Sequence, residues 1–311
     1  MRTKFLLIII SLTLTLSFLS GCGEAPTRKS ITTGGEIESQ LQNTEEDGKE
    51  ENKNTGDKED QDRALPTIDT TVLFEKDGLT MTAQELVEDP IWGIGIKVLI
   101  ENDSDKNLGV QCNTLVVNNY MISDLFSSSV AAGKKANDTI HLSSLGLEAA
   151  GISTIAEIAI SFNVFESDSY DTLWDTDEIE LKTSAYGTVE QPIMDDGREL
   201  VNQDGIRIVG KYVEEDSFWG AGVLLYIENN YGENIIVQSD NMSINGFMVT
   251  PLFSCTVNDG RMALDDITIM SSDLETNSIE SVDDIELTFT IINPDTYQSI
   301  IETDPIAFST K

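Results

Sequence analysis

Apolar and polar positions alternate along much of the chain, and the clearest run is residues 92–102, WGIGIKVLIEN. Trp92, Ile94, Ile96, Val98 and Ile100 share one phase, while Gly93, Gly95, Lys97 and Glu101 share the other. A sustained period of two, rich in β-branched side chains, predicts a strand with one face in a core. The same phase predicts Trp92 packed between sheets. The run returns as residues 219–229, WGAGVLLYIEN, shifted by 127 residues, with Trp219, Ala221, Val223, Leu225 and Ile227 in the apolar phase.

That shift carries through the rest of the chain. Asp77-Gly78 returns as Asp204-Gly205, Val110-Gln111 as Val237-Gln238, Asn118 as Asn245 and Phe162 as Phe289. Residues 66–190 and 191–311 are therefore read as two copies of one domain. In the first copy the pattern predicts strands near 71–75, 79–87, 92–101, 110–117, 136–142, 155–165 and 178–183, separated by turn residues. Residues 144–151 read as a single helical turn with a serine cap and a glycine stop. Several short strands at this spacing indicate an antiparallel sandwich. The expected fold class is all-β, with two tandem immunoglobulin-like antiparallel β-sandwiches. Gly93 and Gly95 recur as Gly220 and Gly222, and glycine inside a strand marks a bulge or the close approach of another backbone.

The first 22 residues change the picture of where those sandwiches sit. Arg2 and Lys4 precede an apolar segment that ends in Leu19-Ser20-Gly21-Cys22. Its length and flanks fit an export signal rather than a membrane span. The ending resembles the lipobox of bacterial lipoproteins. That resemblance implies removal of residues 1–21 and a diacylglyceryl thioether on Cys22, anchoring the protein in the cell membrane on its extracytoplasmic side. Residues 22–65, with the lipidated cysteine at their start, lack aromatic side chains and are dense in acidic, basic and small polar ones. Such a stretch buries too little apolar area to offset its ordering entropy. It is expected to be a disordered acidic linker with a typical reach of about 35–40 Å.

Charge narrows the partners. The chain holds 19 basic and 55 acidic residues, a net charge of −36, most of it in residues 66–311. Such a field repels nucleic acid and anionic headgroups, and favours cations, basic proteins or neutral sugars. Three cysteines argue against a disulfide framework. Cys112 corresponds to Ser239 and Cys255 to Ser128, so each copy accepts serine where the other has cysteine, and both thiols read as small core residues.

Catalytic chemistry finds little support. The single histidine, His141, corresponds to Thr268, so a histidine-based triad and a multi-histidine zinc site are out of reach. The acids between Glu166 and Glu178 are crowded but read as solvated loop residues, and no glycine-rich phosphate loop opens a helix. The chain also lacks the alternating helices of an α/β solute-binding protein. The best metal candidate is Asp103, Asp105 and Asn107, whose alternating oxygen ligands open a loop like that of a calcium-binding EF-hand. Leu108 stands where that loop needs glycine and Thr114 where it needs glutamate, and a hairpin turn accounts for the same residues.

Taken together, DG(L/I), WGxGxxxxIEN, VQ, VN(N/G)(Y/F)M and a Gly-Lys/Arg turn resemble the immunoglobulin-like, telokin-like repeat domains of secreted Firmicutes lipoproteins. The resemblance covers both copies and implies an extracytoplasmic β-sandwich module with no catalytic signature. The expected function is a lipid-anchored, non-enzymatic binding or spacer module for a cell-envelope protein, peptide or carbohydrate. The alternative is a calcium-dependent sensor or accessory subunit.

Overall fold

The computed structural model describes residues 28–31, 65–123 and 126–310. The expected signal segment, Cys22 and most of the linker lie outside the described residues. A short strand, β1 (Arg28–Ser30), precedes the first repeat. That repeat begins with β2 (Thr71–Lys76), β3 (Leu79–Asp89), β4 (Gly93–Asn102), β5 (Leu108–Val117) and β6 (Tyr120–Met121). It continues with β7 (Ser127–Val130), β8 (Lys134–His141), α1 (Ser144–Ala149), β9 (Glu157–Glu166), β10 (Thr172–Asp175) and β11 (Ile179–Lys182). The second repeat holds β12 (Arg198–Gln203), β13 (Ile206–Ser217), β14 (Gly220–Asn229), β15 (Ile235–Ile244), β16 (Phe247–Met248) and β17 (Pro251–Leu252). Its remaining elements are β18 (Ser254–Val257), β19 (Arg261–Met270), α2 (Ser271–Thr276), β20 (Asp284–Ile292), β21 (Ser299–Glu302) and β22 (Ile306–Ser309).

Each repeat is an immunoglobulin-like antiparallel sandwich, as the alternation predicts. In the first, β2-β3-β4-β8 forms one sheet, and β5 with β7, β9, β10 and β11 forms the other. Their inward residues interleave: Met81, Ile96 and Ile100 belong to one core with Leu115, Ile160 and Phe162. The second core holds the matching Ile208, Val223, Ile227, Leu287 and Phe289. Helix α1 falls where it is expected, although its cap is Ser143, whose Oγ accepts the Gly146 N–H.

The asparagine that closes each 92–102-type run has a structural job. Asn102 is fully buried, and its amide donates to the carbonyls of Lys106 and Val130, both at 2.8 Å. Asn229 repeats this with Glu233 and Val257 at 2.9 Å, and accepts the Tyr231 N–H at 3.0 Å. Asn118 and Asn245 likewise serve the loops that lead into β9 and β20, each accepting two backbone N–H groups.

One ladder joins the repeats. β6 pairs in parallel with β19, Tyr120 opposite Met262 and Met121 opposite Ala263, which links strands of both repeats into one 12-stranded sheet. Val209, Tyr226 and Met262 of the second repeat extend the core of the first. Tyr226 lies on the outward side of β14, where the first repeat has the half-buried Leu99. The Tyr120 hydroxyl donates to the Pro192 carbonyl at 3.1 Å and accepts the Met194 N–H at 2.8 Å. Lys211, a bulged residue of β13, points its ammonium at the carbonyls of Met194 and Asp196 and at the Asp196 carboxylate. The segment between the repeats is thus held from both sides.

Candidate functional site

Trp92 and Trp219 correct the expectation that they pack between the sheets. Trp92 is 63% exposed and Trp219 58% exposed, and their neighbours Ile91 and Phe218 are 83% and 90% exposed. The period-two phase misleads because it is extended past the end of the sheet. The last β3–β4 pair is Asp89 with Gly93, and the last β13–β14 pair is Ser217 with Gly220. Residues 90–92 and 218–219 are therefore hairpin tips. Gly93 has φ +73° and Gly220 φ +142°, so the chain turns sharply just after each tryptophan and breaks the strand phase. Pro90 and Gly93 are the local turn signal that competes with the alternation here.

The tips are built rather than loose. The Asp89 carboxylate accepts the N–H groups of Trp92 at 2.9 Å and Ile91 at 2.8 Å. Ring centroids of Trp92 and His141 lie 5.9 Å apart. Phe218 and Trp219 meet edge to face at 4.8 Å, and the Trp219 carbonyl accepts the first N–H of α2. Leu145 on α1 adds a further exposed apolar side chain, and the Ser144 side chain lies against Gly93. Acidic residues flank both tips: Glu88 and Asp89 at the first, and the exposed Asp216 at the second, where Glu215 is tied to Lys29. Adjacent exposed apolar side chains beside charged residues are features that contact surfaces share.

The Trp92 and Ile91 N–H bonds hold the Asp89 carboxyl below its ordinary value. A carboxylate depressed on folding supports the tip above the ordinary value of roughly 4, and that support is lost as pH falls through the lower folded value. We expect the backbone amide resonances of Ile91 and Trp92 to broaden below about pH 4. In Asp89→Ala they are already broadened at neutral pH. A tip whose amides are unchanged across that window removes Asp89 as its fastener.

Several of the other sequence candidates are engaged in the fold. Asp103, Asp105 and Asn107 lie in the β4–β5 turn, whose Ser104 backbone and hydroxyl both donate to Asn102. The Asn107 amide oxygen accepts the Ala132 N–H at 3.2 Å, and its nitrogen donates to Asp168. Among the described residues no three His, Cys, Asp or Glu side chains are grouped to hold a metal ion. Of the crowded acids, Glu166 pairs with Lys106, Asp175 bonds Asn113 and Asn163, and Glu178 pairs with Arg261 across the repeat junction. Cys112 and Cys255 are buried and neither forms a disulfide. Burial pushes the Cys255 thiol well up from its ordinary value, which keeps it protonated and unreactive.

No protein-family model matches the chain, and no curated protein does. Among solved structures it is similar to the YadV chaperone, with 15% identity over 67% of this chain and 90% of that one and a TM-score of 0.22. It is also similar to a Salmonella enterica SafA pilin in complex with the SafB chaperone, with 11% identity over 69% and 88% and a TM-score of 0.19. At such scores the likeness carries no argument about function.

Proposed function

We propose that this chain is a non-enzymatic binding module, anchored through Cys22 to the extracytoplasmic face of the membrane, that engages a protein partner through its aromatic hairpin tips. The observation that carries the reading is the repeated exposure of Ile91 with Trp92 and of Phe218 with Trp219. Leaving such side chains in water forgoes roughly 1.5–3 kcal/mol each relative to burial. Tryptophan and its aromatic neighbours are also the residues that dominate binding energy at interfaces. Isoleucine, leucine and phenylalanine beside the tryptophans suit an apolar protein pocket better than the hydroxyl-rich face of a sugar. The exposed acids beside the tips, Glu88 and Asp216, favour a pocket with a basic rim. Lipid anchoring rests on the Leu19-Ser20-Gly21-Cys22 ending, and the acidity keeps the sandwiches off anionic headgroups.

The test is crosslinking on intact cells, with wild type compared against Ile91→Ser/Trp92→Ser and Phe218→Ser/Trp219→Ser. These positions are exposed, so the variants fold with unchanged circular dichroism. Capture of the same protein partner is expected to fall at least tenfold when a contacted tip is removed. Undiminished capture by both variants, or by a variant lacking all four side chains, overturns the tip assignment.

A further inference from the structure

Four residues of the segment expected to be linker are part of the second sandwich. β1 runs antiparallel to β13, with Arg28 opposite Glu214, Lys29 opposite Val213 and Ser30 opposite Tyr212. It takes up the edge where β12 stops, since the last β12 pair is Arg198 with Gly210. Ile31 follows it into the core of the second repeat and is 5% exposed. Arg28 sits 4.8 Å from the Tyr212 ring centre and bonds Glu214. The Lys29 ammonium donates to Glu215 at 2.8 Å and Ser281 at 2.7 Å, and lies 3.6 Å from Asp283. It therefore ties the β13 edge to the loop before β20.

The first repeat has the same edge, and among the described residues nothing lies on it. Residues 85–87 correspond to 212–214, and no described strand pairs with them on the side away from β4. The differences between the repeats explain this choice. A Cβ at Gly210 would stand 2.9 Å from the Ile31 Cδ1 and 3.2 Å from the Leu200 Cδ1, and the first repeat has Ala83 at that position. Ser281 and Asp283, which receive Lys29, correspond to Thr154 and Ala156. The notch and the acid occur together only where the strand docks, while Thr154 retains a hydroxyl at the position of Ser281.

We propose that residues 28–31 are a latch, docked in cis on the β13 edge, that fixes the second repeat beside the lipid anchor and makes it the membrane-proximal one. This rests on the lipidation of Cys22 proposed above. Arg28 lies six positions after Cys22, a span of roughly 20 Å when fully extended. Without the latch the first fixed point is near residue 65, with a typical reach of about 35–40 Å. Latching also covers an edge that otherwise invites pairing with foreign strands. Ile31 and Lys29 select the second repeat, and the longer remainder of the linker then spans between Ile31 and the first repeat.

The test uses the full-length lipidated protein in phosphatidylcholine vesicles, read by two independent measurements. Amide hydrogen exchange reports the latch: residues 28–31 and 212–214 are protected in wild type and lose at least tenfold protection in Ile31→Asp and in Lys29→Glu. Gly210→Ala, which places in the second repeat the residue that the first already tolerates, has the same local effect. Energy transfer from a dye on Glu275→Cys to a labelled lipid reports position, and it falls at least twofold when the latch is broken. Wild-type protection no greater than that of Ile31→Asp overturns the proposal, as does protection that rises with protein density on the vesicle, which indicates a strand supplied in trans. Failure of Cys22 anchoring reads differently, because the protein then leaves the vesicles while the exchange pattern persists.

Discussion

Asn229→Ala and Asn102→Ala are each expected to lower the melting temperature of the protein by about 10 °C. The effect follows from what each amide satisfies. Removing Asn229 strands the buried Val257 carbonyl and the Glu233 carbonyl, and leaves the Tyr231 N–H without its acceptor. A buried group left unsatisfied costs roughly 1–3 kcal/mol. Water reaches the turn side of the site more readily than the Val257 side, so the sum is about 2–4 kcal/mol. Asn229→Asp is expected to be at least as damaging, since it loses both donations and places a charge at a fully buried position. Thermal melts followed by circular dichroism provide the measurement. A loss under about 1 kcal/mol in both variants would show that the turns are held by something other than these amides.

Tyr120→Ala is expected to uncouple the repeats. The Tyr120 side chain is fully buried at the ladder between β6 and β19, and truncating a buried aromatic costs about 3–5 kcal/mol. The hydroxyl also holds the connecting segment through Pro192 and Met194. Loss of the ring and hydroxyl together therefore opens both parts of the junction. The expected signature is a single melting transition that splits into two, with new protease cleavage near residues 187–197. Tyr120→Phe keeps the ring and isolates the hydroxyl contribution, which is expected to be about 1–2 kcal/mol with the single transition retained. One unsplit transition in Tyr120→Ala would mean that Arg261, through Asn119 and Glu178, carries the junction without Tyr120.

The candidate surfaces show how far a one-dimensional pattern reaches. Ile96, Val98 and Ile100 are buried as their phase requires, because each lies within the paired length of β4. Trp92 shares that phase and is exposed, because phase has no meaning beyond the last ladder pair. Tyr226 fails in the opposite direction. It sits in the polar phase of its strand yet is buried, because the first repeat covers it. The turn at Asp103, Asp105 and Asn107 resembles an ion-binding loop when read as letters. In three dimensions it is organised around the Asn102 amide, a residue one position before the apparent motif.

Strand positions, the duplication, the sandwich class and the acidic surface are all legible in the residues alone, since each depends on local alternation or on charge summed along the chain. Which outward faces meet, which hairpin tips stay in water, and which edge receives residues 28–31 were decided only by the folded arrangement. The physical reason is that alternation encodes the side of the sheet on which a side chain stands but not what stands opposite. A contact between Lys29 and Asp283, or between Tyr120 and Met262, joins segments whose separation along the chain leaves no periodic trace.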